Sequence, residues 1–84
     1  MFANAAHLEV APIKVPELYG LRADQRVTGQ DVEASPPRVY EGRIVSVWFD
    51  GTAIVKWAGG LPIEADRNLV VNGHVDLHHL RPAS

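Results

Sequence analysis

The sequence predicts an all-β domain curled into a small barrel, and three observations predict it. From Asp24 onward the apolar residues come in short runs rich in Val, Ile and aromatic side chains, the composition that suits a pleated, half-buried surface. Two of these runs are interrupted by Asp50-Gly51 and Asn72-Gly73, pairs that tolerate the positive φ of tight hairpin turns. The chain has 84 residues and no cysteine. A domain of this size buries only about 60–65% of the surface its unfolded form exposes, so without disulfides it needs tight β-closure or self-association.

The elements follow in order. Residues 1–23 contain Pro12 and Pro16 with alternation at Leu8, Val10, Ile13 and Val15, which reads as an extended arm of short edge strands broken at Pro12. "PELYG" reads as one helical turn, with Pro16 starting it and Gly20 ending it. Residues 24–84 form the barrel. "RVTGQDVEA" is a strand bent at Gly29, and "SPPR" a loop. "RVYEGRIVSVWF" is a long strand whose internal Gly42 predicts a bulge. Asp50-Gly51 forms a type I′ turn, and "TAIVKW" returns antiparallel. "AGGLP" is a loop, and "IEADRN" receives no assignment. "LVV" and "HVD" flank a second I′ turn at Asn72-Gly73, and "LHHL" is a 3₁₀ turn that drops Leu77 and Leu80 into the core. Five such strands and a terminal 3₁₀ turn describe a small SH3-like barrel. An OB-fold would want a longer chain and a helix between its third and fourth strands.

The hairpin "IVSVWFDGTAIVKW" poses a problem of excess hydrophobicity. With a two-residue turn, Phe49 faces Thr52, Val47 faces Ile54 and Val45 faces Lys56 on one side. Trp48 faces Ala53, Ser46 faces Val55 and Ile44 faces Trp57 on the other. Each side then carries at least three large apolar groups, each worth about 1.5–3 kcal/mol when buried. A barrel interior covers one side only. The other needs the arm or a second subunit, which makes Val47, Trp48, Phe49 and Ile54 the expected protein interface and the chain a homo-oligomer.

Charge narrows the function classes. Eight Lys plus Arg stand against ten Asp plus Glu, with no basic run, so nucleic-acid binding driven by counterion release is not expected. No stretch approaches the roughly 18 apolar residues of a membrane span. "MFANAAHLEV" lacks the charged and apolar regions of a signal peptide, and a cytoplasmic protein is expected.

The segment "VYEGRIVSVWFDGTAIVKWAGG", followed by "VDLHHLRP", resembles the Tudor-type branch of SH3-like barrels over about half the chain. Tyr40, Gly42, Ile44, the Asp50-Gly51 turn, Trp57, Leu77, Leu80 and Pro82 carry the likeness. It implies a ligand site at the barrel end, lined by Tyr40, Trp57, Gly59 and Gly60, in which aromatic faces hold a cation. The family's remaining cage positions fall in "AGG" and "RVTGQDVEA", where no aromatic stands. In size and fold alone the chain is similar to the plasmid-borne type II dihydrofolate reductases, whose short chains form tetramers around one pore. Their Val-Gln-Ile-Tyr string is absent, and "VDLHH" is the nearest late strand.

Chemical motifs are sparse. His74, Asp76 and His78 are weak metal-ligand candidates, because the 3₁₀ turn at Leu77 breaks their alignment and His7 is distant. Ser35, Ser46 and Ser84 sit in no nucleophile motif. Glu64 and Asp66 would share a strand face only as a solvated pair. No cofactor is expected. These readings predict a non-catalytic binding or assembly module acting through protein contacts. The alternative is a small oligomeric enzyme or ligand binder with its site shared between subunits.

Overall fold

In a computed structural model describing residues 13–83, the chain forms a curled antiparallel seven-stranded sheet, a half-barrel, together with a separate two-stranded sheet and one short helix. Nine strands are hydrogen-bonded among the described residues: β1 (Lys14–Val15), β2 (Glu17–Leu18), β3 (Leu21–Arg22), β4 (Arg26–Asp31), β5 (Arg38–Trp48), β6 (Thr52–Trp57), β7 (Val70–Val71), β8 (His74–Asp76) and β9 (Leu80–Pro82). Helix α1 spans Ile63–Leu69. The main sheet runs β7-β8-β6-β5-β4-β9, with β1 added beside β5. Strands β4, β5, β6 and β8 thus lie side by side in chain order. After the 3₁₀ turn Leu77–His79 the chain returns β9 to β4. This meander differs from the Greek-key path of an OB-fold, although a helix does stand between β6 and β7.

The core holds Leu21, Val27, Ile44, Val47, Ala53, Val75, Leu77 and Leu80, each 3% exposed or less. Leu77 and Leu80 drop inward from the 3₁₀ turn as expected, and Asn72 and Gly73 take positive φ values of 53° and 81° as a I′ turn requires. Leu21 places the described part of the arm in the same core, while Leu8 and Val10 lie outside the described residues.

The β5–β6 hairpin departs from expectation in two places, and together they redistribute its apolar residues, leaving Val45 and Phe49 exposed. Its loop has three residues, Phe49, Asp50 and Gly51, so Trp48 pairs with Thr52 and Val47 with Ala53. Only Gly51 takes a positive φ, at 90°. Asp50 stays in the ordinary region and folds its carboxylate back onto Thr52, accepting from the Thr52 backbone N–H at 3.2 Å and from its hydroxyl at 2.6 Å. This is a turn closed by a left-handed glycine, not a I′ turn. The register then slips again between Ile44 and Ser46, leaving Val45 as the extra residue. The bulge therefore sits at Val45 and not at Gly42. Because side chains alternate, each one-residue slip exchanges the two faces. The inner face receives Ile44, Val47, Ala53, Val55 and Trp57, and the outer face receives Trp48, Ser46, Thr52, Ile54, Arg43 and Lys56.

Gly29 and Gly42 serve packing instead of bending. A β-carbon on Gly29 would collide with Trp57 Cη2 and stand 2.9 Å from Cζ3, and one on Gly42 would stand 2.7 Å from Val55 Cγ1 and 3.0 Å from Trp57 Cε3. The indole reaches across β5 to β4 over two positions that have no side chain.

Two segments adopt other structures than the sequence predicts. "PELYG" is the β2–β3 hairpin, not a helical turn. Tyr19 and Gly20 stand at its tip with φ of 54° and 78°. The unassigned "IEADRN" is α1, which buries Ala65 and Leu69 on one side. Glu64 and Asp66 consequently lie two apart on a helix and do not share a face. Seven residues without a capping side chain do not hold a helix alone. The helix is tied to the sheet through Asn68, whose Nδ2 donates to both carboxylate oxygens of Asp31 at 3.1 Å, while the Glu33 N–H donates to Oδ1 at 3.1 Å. Asp31 is 2% exposed and is the one buried carboxylate among the described residues.

Candidate functional site

The outer face of the hairpin is built around Trp48. Its ladder partners are Lys14 on β1 and Thr52 on β6, so the three side chains share a face. Lys14 Nζ lies 5.6 Å from the indole centroid, within cation–π range. The His74 ring lies on another side with centroids 5.2 Å apart, tilted by 57°. The indole Nε1–H donates to Ser46 Oγ at 2.9 Å, which satisfies the buried hydroxyl. Lys14 from the arm and His74 from β8 are therefore what flank this tryptophan on the outer face.

A relay continues from His74 to the hairpin turn. Thr52 Oγ1 lies 2.9 Å from His74 Nδ1 and 2.6 Å from Asp50 Oδ1. An ionised carboxylate only accepts, so the single Thr52 hydroxyl proton goes to Asp50 and the oxygen accepts from His74 Nδ1–H. The ring is held as the Nδ1–H tautomer, and β8 is fastened to the loop of the neighbouring hairpin.

The expected interface residues divide between core and surface. Val47 is 1% exposed and belongs to the core, so it offers nothing to a partner. Trp48 and Ile54 are half-buried on the outer face. Phe49, moved into the loop by the three-residue turn, is 70% exposed. Its backbone N–H donates to the Ile13 carbonyl at 2.7 Å, which sets it beside Ile13, itself 59% exposed. Ile13 covers no part of the hairpin's apolar surface as an arm would; it adds to what is exposed.

The expected ligand residues are not gathered into one pocket. Tyr40 lines a cleft of ≈ 500 Å³ between α1 and the β4–β5 connection, with Asp31, Arg38, Arg67 and Asn68 on its walls. Trp57 and Gly59 line a different groove of ≈ 690 Å³ over β4, β5 and β6. Gly60 lines neither. No family model, curated protein or solved structure matches the chain. The assignment of a site rests on these side chains alone.

The late histidines also go separate ways. His74 is engaged with Thr52 and Trp48. Asp76 caps the 3₁₀ turn, accepting from the His78 backbone N–H at 2.9 Å and lying 3.0 Å from His78 Nδ1. Among the described residues no three His, Cys, Asp or Glu side chains converge on a metal position, and His7 lies outside them. Among the described residues no helix is long and apolar enough to cross a membrane. The backbone hydrogen bond from His78 is the main cause that holds the Asp76 carboxyl below the usual range; burial, the next largest influence, opposes it, and the His78 side-chain bond and the charges of His78 and His79 add to the lowering. A lowered folded-state value means a stabilising contribution that is present above the unfolded-state value and lost as acid titrates the folded group. The stability difference between the parent and Asp76→Asn should shrink as the pH falls below the ordinary aspartate value of about 3.9. Thermal melts across pH 2.5–7 check this, and a difference that grows in acid would contradict it.

Proposed function

We propose that this chain is a non-catalytic assembly module that associates with a second copy of itself through the tip of the β5–β6 hairpin. The observation that carries the reading is the exposed Phe49–Ile13 pair. Two large apolar side chains are held side by side on hydrogen-bonded backbone, where water would otherwise have to solvate them. Trp48, flanked by Lys14 and His74, directly precedes Phe49 in the chain and fixes the end of the strand that carries it. An aromatic anchor on a preorganised support is the usual energetic centre of a protein contact. Among the described residues no nucleophile, base and orienting group come together. Ser46 is buried under Trp48, and the carboxylates of Asp31 and Asp76 serve structural hydrogen bonds.

Sedimentation equilibrium on the full chain tests the reading. The parent should show a concentration-dependent mass above that of the monomer. Phe49→Ser should weaken the association at least tenfold, a change of about 1.4 kcal/mol, while melting as the parent does at concentrations where both are monomeric, because the ring is 70% exposed. A parent chain that stays monomeric at every concentration sinks the proposal.

A further inference from the structure

Three cations widely separated in the sequence meet on one row of the sheet. Arg26 on β4 pairs directly with Arg43 on β5, and Arg43 pairs directly with Lys56 on β6. Direct ladder partners share a face, and adjacent strands lie about 4.8 Å apart, so the three side chains start within roughly 10 Å of one another. All three are exposed. They line the ≈ 690 Å³ groove described above, within the size range of small-molecule sites.

The arrangement is unfavourable for folding alone. Like charges directly opposite each other destabilise a sheet, and here the repulsive pairing occurs twice in succession. The chain's overall balance is acidic, with eight basic against ten acidic residues, so the row is not a by-product of a basic composition. Asp24 and Glu41 also line the groove, but they do not neutralise it. Among the described residues the one ion pair is His78–Asp76, and Arg43 Nη1 donates to the Asp24 backbone carbonyl at 2.7 Å, not to its carboxylate. That bond orients the Arg43 guanidinium and leaves its other N–H donors unused by the described residues.

We infer that the outer face of β4, β5 and β6 binds closely spaced phosphates, with Arg43 as the central ligand and Arg26 and Lys56 on either side. Guanidinium forks match phosphate oxygens in pairs, and the flanking ammonium adds a point charge. A ligand with several anionic oxygens would relieve the repulsion that the fold maintains in its absence. No basic run exists along the chain. The run is built across strands, and its phosphate source is either a free polyphosphate or the backbone of a nucleic-acid strand.

Calorimetric titration of the full chain at low salt, with sodium tripolyphosphate and separately with a single-stranded oligothymidylate dodecamer, tests the assignment. Saturable binding of either supports it. Preference for tripolyphosphate identifies a free polyphosphate as the ligand. Tighter binding of the oligonucleotide identifies a strand, and its affinity should then fall with salt with a log–log slope of about −2 for three phosphate contacts. The triple variant Arg26→Gln, Arg43→Gln, Lys56→Gln should lose at least about tenfold in affinity while still unfolding cooperatively, since relief of the repulsion offsets the loss of the Arg43 bond to the Asp24 carbonyl. Phe49→Ser should bind as the parent does, which separates this site from the assembly surface. Failure of both probes to bind saturably, or unchanged affinity in the triple variant, overturns the assignment.

Discussion

Replacing Trp57 with alanine should lower the unfolding free energy by about 3 kcal/mol, the low end for a large aromatic because the ring is only partly buried. Domains of this length have roughly 4–13 kcal/mol in total, so the loss is a large fraction of the whole. The more informative result comes from the glycine beneath the ring. Gly29→Ala places a methyl group against Cη2 and Cζ3 of Trp57, and overpacking of this kind costs about 1–3 kcal/mol. In the Trp57→Ala background the collision is gone, and the same substitution should cost less than about 1 kcal/mol. Urea unfolding of the four proteins followed by circular dichroism closes the cycle. Strictly additive effects would show that the indole does not lie over Gly29. Strong coupling would assign Trp57 to the inner packing of the sheet, with only part of it bordering the groove over β4, β5 and β6.

The second large effect is expected at the clasp between helix and sheet. Asn68→Ala removes two hydrogen bonds from a carboxylate that is 2% exposed and leaves Asp31 with the Glu33 N–H alone. An under-satisfied buried charge costs more than a neutral group in the same position, and a loss of about 2–3 kcal/mol is expected. Asp31→Asn introduced into the Asn68→Ala chain should restore part of the loss, because an amide is less costly to leave short of partners than a carboxylate. Chemical denaturation gives the energies. Hydrogen exchange should show the amides of α1 exposed first, since its seven residues depend on this tie and on two buried side chains. If Asp31→Asn deepens the loss, the carboxylate has a stabilising partner other than Asn68.

Strand positions were legible where the code is local. The alternation in "TAIVKW", the two prolines after Ser35 and the Asn72-Gly73 pair each dictate their own conformation through side-chain shape or backbone freedom. So did the 3₁₀ turn, because Asp76 caps it two residues ahead and Leu77 and Leu80 share one side. "PELYG" was misread because Pro16 suits a helix start as well as a hairpin flank; a tyrosine with φ of 54° is held by β2 pairing with β3, which no local preference announces. Helix α1 left almost no signal. Its two inward positions, Ala65 and Leu69, are too few to mark a helical face, and its anchor Asn68 bonds a residue 37 positions earlier.

The candidate site was visible in part. Phe49 and Trp48 stood out by size, yet their setting depended on register. A two-residue turn would have put Phe49 in a strand and Val47 on a face needing a partner. One carboxylate, Asp50, folds onto Thr52 and lengthens the loop, and one extra residue, Val45, slips the strand once more.

The sequence by itself determined that the chain is β-rich, where most of its strands run, and that Leu77 and Leu80 enter the core, because those depend on side-chain shape and on burial of apolar surface. Tertiary structure alone decided the rest. Which face each hairpin residue occupies was set by two single-residue slips, each of which exchanges the faces. What flanks Trp48 was set by Lys14 and His74, contributed by strands on opposite sides of the hairpin. The row of Arg26, Arg43 and Lys56 exists only because three strands align in one register. Charge proximity across a sheet follows strand pairing, and chain distance carries no trace of it.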